Sequence, residues 1–322
     1  MKKTLSIGII IAAVIAVTII TQQPRAVKNE SASDSLAVAT TIFPLYDITK
    51  NVGGAFVDVE LVLPSGTSPH TFDPQPRVLR DLEGSQVLFA IGNGLDDWSY
   101  TLAESLDIPV VTVDDGIALR ETADFHEEHN DAHGHDRAHH HHEEDEHEGH
   151  NHGPIDPHYW LSIKNAQRIT ENIARELSQR DPLNESAYQA NAQVYINELE
   201  ALYEENMMLM NDIENGNIIA LHDAWYYFAQ ENDLNLIGTF EPSAGKEPTP
   251  RYLQNLKEEI EEFGVKTLFV EPQLSETSIS AFAKDNNLSI AVIDPLGGEM
   301  QRQNYVDLMR YNAQQVHTAL NQ

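Results

Sequence analysis

Histidine is the residue type through which this 322-residue chain could do chemistry, since it contains 15 histidines and no cysteine. Eleven of them lie in one low-complexity stretch, residues 121–153, where they are mixed with Asp and Glu. Neutral imidazole is the commonest side-chain metal ligand and suits Zn²⁺, Cu²⁺ and Ni²⁺. This His-rich loop lacks the apolar residues needed to offset chain entropy, so we expect it to be disordered and to capture metal weakly at several points. Its histidines are His126, His129, His133, His135, His139, His140, His141, His142, His147, His150 and His152.

The other four histidines occur singly, and three of them stand where a predicted strand or the His-rich loop ends. His70 and His222 each follow a predicted strand, and His158 follows the His-rich loop. In open α/β sheets, ligands gather beyond the carboxyl ends of the strands. The fourth, His317, lies in a helical pattern near the C-terminus, and we interpret it as an ordinary hydrogen-bonding residue.

One carboxylate has a similar place in the sequence, directly after a predicted strand. Asp294, in the segment Ile-Asp-Pro-Leu-Gly-Gly, also follows a predicted strand. Three imidazoles and one carboxylate would complete a tetrahedral, closed zinc site without thiolates. No short-range pair such as His-x-x-x-His links the four residues, so spacing alone leaves two interpretations open: structural histidines or metal ligands.

Short apolar runs alternate with helix-length segments in both halves of the chain. Runs spaced in this way predict βαβ units and a mainly parallel sheet, and four runs in each half predict two similar α/β lobes. The predicted strands are Leu36–Ile42, Val57–Leu63, Val87–Ile91 and Val110–Val113, followed by Ile218–Leu221, Leu234–Phe240, Thr267–Val270 and Ser289–Ile293.

A long helical pattern separates the two halves, over residues 184–214. Its apolar residues recur mostly every three or four residues, the spacing of one face of a helix. About 30 residues at 1.5 Å each make a rod of roughly 45 Å, long enough to run along both lobes and limit how far they hinge. A plain surface helix is the alternative. The apolar positions are Tyr188, Ala192, Tyr195, Leu199, Leu202, Leu209 and Ile213.

The N-terminus has the pattern of a secretory signal. A basic start, Met-Lys-Lys, precedes an apolar run from Leu5 to Ile20, which is short for a membrane-spanning helix. We expect residues 1–20 to be a signal or a membrane anchor, followed by a flexible tether over residues 21–35. The protein is therefore expected outside the cytoplasm, in the periplasm or at the cell surface. No clear cleavage site follows the run, so removal and retention both stay open.

Length and charge set further limits. A chain of 322 residues can form two domains with their own cores, and we expect lobes over residues 36–183 and 215–322. The formal net charge of −31 argues against nucleic acid, whose phosphates demand a basic patch. Acidity suits cations, but it also serves solubility and decides nothing alone.

Several segments together resemble the metal-binding solute-binding proteins of ABC importers, most closely the zinc-uptake receptors with a His-rich loop. The resemblance covers about Leu36 to Leu320. The segments that carry it are Pro-His-Thr-Phe-Asp-Pro around His70, Asn93-Gly94 with Trp98, Asp156-Pro157-His158-Tyr159-Trp160-Leu161, His222-Asp223-Ala224-Trp225-Tyr226-Tyr227-Phe228, Glu247-Pro248-Thr249-Pro250, Glu271-Pro272-Gln273 and Asp294-Pro295-Leu296-Gly297.

The resemblance implies both a fold and a ligand set. Each lobe would be a four-stranded sheet flanked by helices, one rigid helix would join the lobes, and the metal would lie in the cleft. Matching positions make His70 and His158 ligands from the first lobe, and His222 and Asp294 ligands from the second. Manganese-binding relatives have a carboxylate at the third position, and imidazole there shifts the preference toward Zn²⁺. Some zinc-binding members have water or another carboxylate as the fourth ligand, so that position stays open.

The expected function is a monomeric receptor that captures Zn²⁺ and delivers it to the membrane permease of an ABC importer. A receptor for Mn²⁺ or another divalent ion, and a zinc buffer or adhesin with the same fold, are the alternatives. A metallohydrolase needs a general base and an open coordination position. The chain has no His-Glu-x-x-His run, and a closed four-ligand site would exclude substrate water, so we expect no enzyme activity.

Overall fold

The computed structural model describes residues 35–122, 155–242, 245–273 and 277–321 of the chain. The predicted signal segment, most of the predicted tether and nearly all of the His-rich loop lie outside the described residues, so what we expect of them stays a prediction. From Leu36 onward the chain forms one compact unit. Among the described residues, no helix combines the length and the apolar character needed to cross a bilayer.

The first half of the chain folds around a four-stranded sheet whose order is β2-β1-β3-β4. Every neighbouring pair of strands is parallel. The strands are β1 Leu36–Thr40, β2 Val57–Leu61, β3 Val87–Ala90 and β4 Val110–Thr112, and the helices are α1 Phe43–Gly53, α2 Arg77–Asp81, α3 Trp98–Leu106 and α4 Ile163–Arg180.

The second half repeats this arrangement, with the order β6-β5-β7-β8 and parallel pairing throughout. The fold class predicted from the sequence is confirmed, and all eight predicted strands form with ends within two residues of those expected. The strands are β5 Asn217–Ala220, β6 Asn235–Thr239, β7 Thr267–Val270 and β8 Ser289–Val292; the linking helix is α5 Glu185–Met210, and the further helices are α6 Tyr226–Glu231, α7 Pro250–Phe263, α8 Thr277–Asp285 and α9 Tyr305–Leu320.

The central strands β3 and β7 show why the sheets form. Their sequences, Val-Leu-Phe-Ala and Thr-Leu-Phe-Val, are nearly continuous apolar runs, and every residue in both is buried. Strands of a parallel sheet are covered by helices on both faces and therefore carry such runs instead of alternating patterns. In each sheet the strand order reverses between two central strands, β1 and β3 or β5 and β7, and ligands bind at such a switch point.

Helix α5 contacts both lobes, because it packs against α1 and α4 of the first and α9 of the second. Its 26 residues give a rod of about 39 Å at 1.5 Å each. The helix ends at Met210 instead of residue 214, and the chain turns at Asn211 and Asp212, residue types that favour turns. Its buried residues are Tyr188, Ala192, Tyr195, Leu199, Leu202, Asn206 and Met210.

The two lobes also meet through buried polar contacts around Trp160. The indole Nε1 of Trp160 donates to the carbonyl of Pro295 at 2.8 Å, and the Tyr305 hydroxyl donates to the Trp160 carbonyl at 2.6 Å. Trp160 and Tyr305 are fully buried. These bonds hold the segment that follows His158 against the segment that follows β8, so the lobes are close together where the site lies.

Shortening Leu199 to alanine tests the role of α5 as a core element. Leu199 is fully buried, so the cavity left by the change should lower the free energy of unfolding of the metal-free protein by about 2–5 kcal/mol, measured by urea denaturation. Leu183, which is 92% exposed, provides the control, and Leu183→Ala should change stability by less than about 0.5 kcal/mol. Equal effects of the two changes would contradict the packing described here.

Candidate metal centre

Three histidines lie at the cleft, and each is positioned by a different local structure. His70 lies in the short helical turn Pro69–Thr71, beyond the end of β2. The indole Nε1 of Trp98 donates to the Pro69 carbonyl at 3.1 Å and fixes that turn. His158 immediately precedes a second short turn, Tyr159–Leu161, and His222 stands two residues after β5. The first two come from one lobe and the third from the other.

The three imidazoles form an even triangle. The ring centroids of each pair lie 5.3 Å apart. Each ring offers one nitrogen, and the three nitrogens all lie within 4.8 Å of one another. His158 and His222 are buried, whereas His70 is partly exposed. The structure therefore brings together three of the four residues predicted to form a metal site.

The distance between two of the nitrogens fits tetrahedral coordination. Nε2 of His70 and Nε2 of His158 are 3.3 Å apart. Two nitrogens bonded to a tetrahedral zinc ion at about 2.0–2.1 Å each would stand about 3.3 Å apart. An ion of this size thus fits between the two rings without a change in their spacing.

Asp156 sets the orientation of His158. Its Oδ1 lies 2.9 Å from Nδ1 of His158 and accepts the His158 backbone N–H at 3.0 Å. A carboxylate at Nδ1 favours the tautomer that carries its proton there, which leaves the lone pair of Nε2 facing the other histidines. The same contact makes the ring a stronger metal ligand.

Glu271 plays the same part for His222. Its Oε1 lies 2.8 Å from Nδ1 of His222 and accepts the Trp225 indole N–H at 3.0 Å. The contact with Glu271 is an ion pair and not an aligned hydrogen bond, and Nε2 of His222 is buried without a hydrogen-bond partner among the described residues, as expected for an atom aimed at an ion. Burial has the largest single effect and lowers the pKa of His222, but the negative charges of Glu271, Asp223 and Glu241 and the contact with Glu271 together outweigh it, so this pKa lies above its ordinary value of 6.5.

Glu271 belongs to one of the segments that carry the family resemblance, but the sequence alone does not predict its role beside His222. It follows β7 directly, and His222 follows β5, which is the neighbouring strand. The two side chains therefore leave the sheet at its switch point and meet there. A carboxylate at the end of a fully apolar strand was the available signal.

Arg120 connects the two halves of the site behind the ligands. Its Nη1 lies 3.3 Å from Asp156 Oδ2 and 3.2 Å from Asp223 Oδ1, and its guanidinium lies 4.1 Å from the centre of the Tyr226 ring. Asp156 belongs to the first lobe, whereas Asp223 is next to His222 in the second. One partly buried cation thus balances two carboxylates and connects Asp156, which contacts His158, to the segment that contains His222.

Asp294, the fourth predicted ligand, is not part of the group that the structure assembles. Its Oδ1 accepts from Gln273 Nε2 at 2.7 Å and from the Leu296 backbone N–H at 3.0 Å. Its Oδ2 lies 2.7 Å from Nε of Arg302. The carboxylate is thus engaged by other groups. His317 also lies apart, with its Nε2 2.9 Å from an oxygen of Asp212.

The space between the histidines is a cavity of about 10 Å³. This is about the volume that one water molecule occupies by the same measure, so the site can hold a single small ion. Its walls include the three histidines, Glu271, Gln273, Trp160 and Leu296, and Asp294 is not among them.

Comparison with known proteins identifies one family. The family model described as zinc-uptake complex component A, periplasmic (ZnuA), matches residues 38–319. The crystal structure of ZnuA has a TM-score of 0.74 with this structure at 25% identity, and the match covers 89% of this chain and 100% of that one.

Two curated relatives carry the names of different metals. The chain is 28% identical over 292 residues to the zinc-binding protein AdcA of Streptococcus pyogenes serotype M3, which covers 88% of this chain and 56% of AdcA. It therefore spans only about half the length of that relative. It is 25% identical over 299 residues to the manganese-binding lipoprotein MntA of Halalkalibacterium halodurans, with 90% of each chain covered.

Replacing Glu271 by glutamine tests its role behind His222. The variant keeps the shape of the side chain but removes the negative charge, so Zn²⁺ affinity should fall about 10–100-fold in competition titrations against a chelator. Glu258, which is exposed on α7, provides the control, and Glu258→Gln should leave the affinity unchanged. An unchanged affinity in Glu271→Gln would mean that Glu271 does not support a ligand.

The raised pKa of His222 gives the metal affinity a defined pH dependence. A proton on Nε2 competes with the ion, so affinity should fall as the pH drops through that pKa, which lies above 6.5. The loss should therefore begin at a higher pH than for an ordinary histidine. Titrations between about pH 8 and pH 5 check this, and the curve for Glu271→Gln should shift to lower pH. A curve that does not move in that variant would contradict the assignment.

Proposed function

Because the chain belongs to the family of the periplasmic component A of the zinc-uptake complex, we propose that it is an extracytoplasmic solute-binding protein that captures one Zn²⁺ ion. The ion would bind in the cleft between the two lobes, and the protein, acting as a monomer, would deliver it to the membrane permease of an ABC importer. The observation that carries the proposal is the triangle of imidazoles, in which Nε2 of His70 and Nε2 of His158 are 3.3 Å apart.

The donor atoms favour zinc over manganese. The three side chains whose nitrogens lie within 4.8 Å of one another at the cavity are all imidazoles. Imidazole suits Zn²⁺. Manganese prefers carboxylate and carbonyl oxygen. Asp156 and Glu271 contact Nδ1 of two rings, so these oxygens support nitrogen ligands instead of replacing them. The name of the relative AdcA agrees with this choice, whereas the relative MntA represents the alternative metal.

Several features support a receptor instead of an enzyme. A metal-dependent hydrolase needs room for a substrate and a general base beside the ion. The cavity of about 10 Å³ between the histidines matches the size of a single ion. The two nearby carboxylates, Asp156 and Glu271, already contact the ligand rings and are not free to take a proton from water. We therefore propose that the protein binds and releases its ion without catalysing a reaction.

The division of ligands between the lobes provides a way to release the ion. His70 and His158 lie in the first lobe and His222 in the second, so separation of the lobes would leave the ion with two ligands. The permease can favour release by binding the separated arrangement more tightly. Conversely, the bound ion draws the lobes together through its own bonds.

The His-rich loop would collect zinc next to the cleft. Its two ends are held together by an isolated bridge between Glu121 and Ile155, and the Asp156 N–H donates to the Arg120 carbonyl at 2.9 Å. The chain runs from this bridge directly into His158. We propose that weakly held ions pass from the loop to the triangle of histidines over this short distance.

Substituting His222 by alanine tests the site. The variant loses one of three imidazoles, and the affinity of the tight site should fall by more than about 100-fold, since even residues that only support ligands contribute 10–100-fold. Calorimetry of Zn²⁺ binding measures the change. His317→Ala, which removes a histidine outside the site, should bind zinc as the wild-type protein does. Tight 1:1 binding that survives in His222→Ala would disprove the ligand assignment.

Deleting residues 123–153 and joining the ends by a short Gly-Ser linker separates the loop from the cleft. The bridge between Glu121 and Ile155 stays in place, so the fold should tolerate the change. Elemental analysis should find fewer bound zinc ions, and calorimetry should still find one tight site. A variant without a tight site would show that the loop itself holds the ion.

Growth under zinc limitation distinguishes transport from storage. Cells that lack the protein should stop growing at low zinc and recover when zinc is added, because uptake through the permease has lost its receptor. Manganese addition should not restore growth. Normal growth of such cells at low zinc would favour the buffer or adhesin alternative.

A further inference from the structure

The contact between Asp294 and Arg302 bears on which metal the cleft accepts. Asp294 is buried with a side chain that is 1% exposed, and Nε of Arg302 lies 2.7 Å from its Oδ2. The other oxygen of Asp294 accepts from Gln273, which lines the cavity. A carboxylate therefore stands behind a wall of the cavity, held by a cation and an amide.

Arg302 is itself fixed by its surroundings. Its backbone N–H donates to the Glu299 carbonyl at 2.9 Å, and its carbonyl accepts the Gly298 N–H at 2.8 Å, which closes a tight turn. Its guanidinium lies 4.8 Å from the centre of the Tyr311 ring on α9. These bonds fix the backbone at Arg302, and the Tyr311 ring gives its guanidinium a further contact beside Asp294.

The turn is also pinned against the first lobe at Gly298. This glycine has φ of +85°, and a Cβ atom there would lie 2.7 Å from the Ser65 hydroxyl oxygen. The Ser65 hydroxyl and the Gly298 carbonyl oxygen are 3.5 Å apart. The turn that carries Arg302 thus contacts the first lobe through Gly298.

We propose that Arg302 determines metal specificity by withholding the Asp294 carboxylate from the bound ion. With Asp294 paired, the ion meets three imidazole nitrogens, a donor set that suits Zn²⁺ better than Mn²⁺. With Asp294 released, a hard oxygen would join the set and favour Mn²⁺. This inference rests on the proposed function, since it specifies how the same site selects its ion.

Charge explains why the pairing is stable. A buried carboxylate without a partner is costly, and Arg302 supplies the only positive charge that the structure places against Asp294 among the described residues. A zinc ion held by three imidazoles needs no further charge from Asp294, because Asp156 and Glu271 already stand behind two of the rings. The ion and Arg302 are therefore not in competition for Asp294.

Arg302→Gln tests the proposal by removing the cation. The affinity for Mn²⁺, measured by electron paramagnetic resonance of the free ion, should rise at least about tenfold as Asp294 joins the ligands. The gain should vanish in the double variant Arg302→Gln/Asp294→Asn. Arg310, which pairs with Glu205 and Asp307 away from the cavity, provides the matched control. Arg310→Gln removes the same charge from the protein and should leave Mn²⁺ binding unchanged.

The single variant Asp294→Asn gives a second readout. Because Asp294 is withheld in the wild-type protein, its Zn²⁺ affinity should change by less than about threefold, far less than in His222→Ala. Arg302→Lys keeps a charge but loses the planar fork, so its Mn²⁺ affinity should lie between wild type and Arg302→Gln.

Two results would overturn the inference: unchanged Mn²⁺ affinity in an Arg302→Gln protein that still binds zinc, or a gain that persists in the double variant. A loss of zinc binding in Asp294→Asn as large as in His222→Ala would also overturn it, since Asp294 would then be a ligand. A wild-type protein without a tight zinc site would instead disprove the proposed function. The experiments therefore distinguish a failure of the Arg302 inference from a failure of the proposed function.

Discussion

Contacts between buried carboxylates and histidine rings hold the site together. Asp156 lies at Nδ1 of His158, and Glu271 lies at Nδ1 of His222, at 2.9 and 2.8 Å. A buried carboxylate is stable only when it is paired, and a metal ligand is well oriented only when its second nitrogen is held. Each contact meets both needs. It also turns Nε2 of each ring toward the same cavity, where His70 completes the triangle.

The fold supplies these contacts from the ends of its strands. His222 and Glu271 follow β5 and β7, neighbouring strands at the switch point of the second sheet. His70 and His158 come from the first lobe, and Arg120 balances the charge of Asp156 while reaching Asp223 in the second. Because the ligands come from both lobes, the binding of an ion depends on how the two lobes are arranged. Under the proposed function, the affinity for the ion and its release would therefore depend on the same motion of the lobes.

The features that the sequence predicts well are local. Each strand is a short apolar run, and His70 and His222 follow such runs, so both the fold and the position of these residues can be inferred from the chain alone. The pairings between distant residues cannot be inferred in this way. Nothing near Glu271 in the sequence specifies that it contacts His222. Asp294 follows its strand as a ligand would, yet Arg302, eight residues later, contacts its carboxylate, and only the folded turn reveals this.

A crystal structure of the zinc-loaded protein, with anomalous scattering recorded at the zinc absorption edge, tests the central claim most directly. We expect one strong peak in the cleft, about 2.0–2.1 Å from Nε2 of His70, His158 and His222, with Asp294 still against Arg302. A cleft without zinc, or a zinc ion bound by fewer than two of these rings, would contradict it.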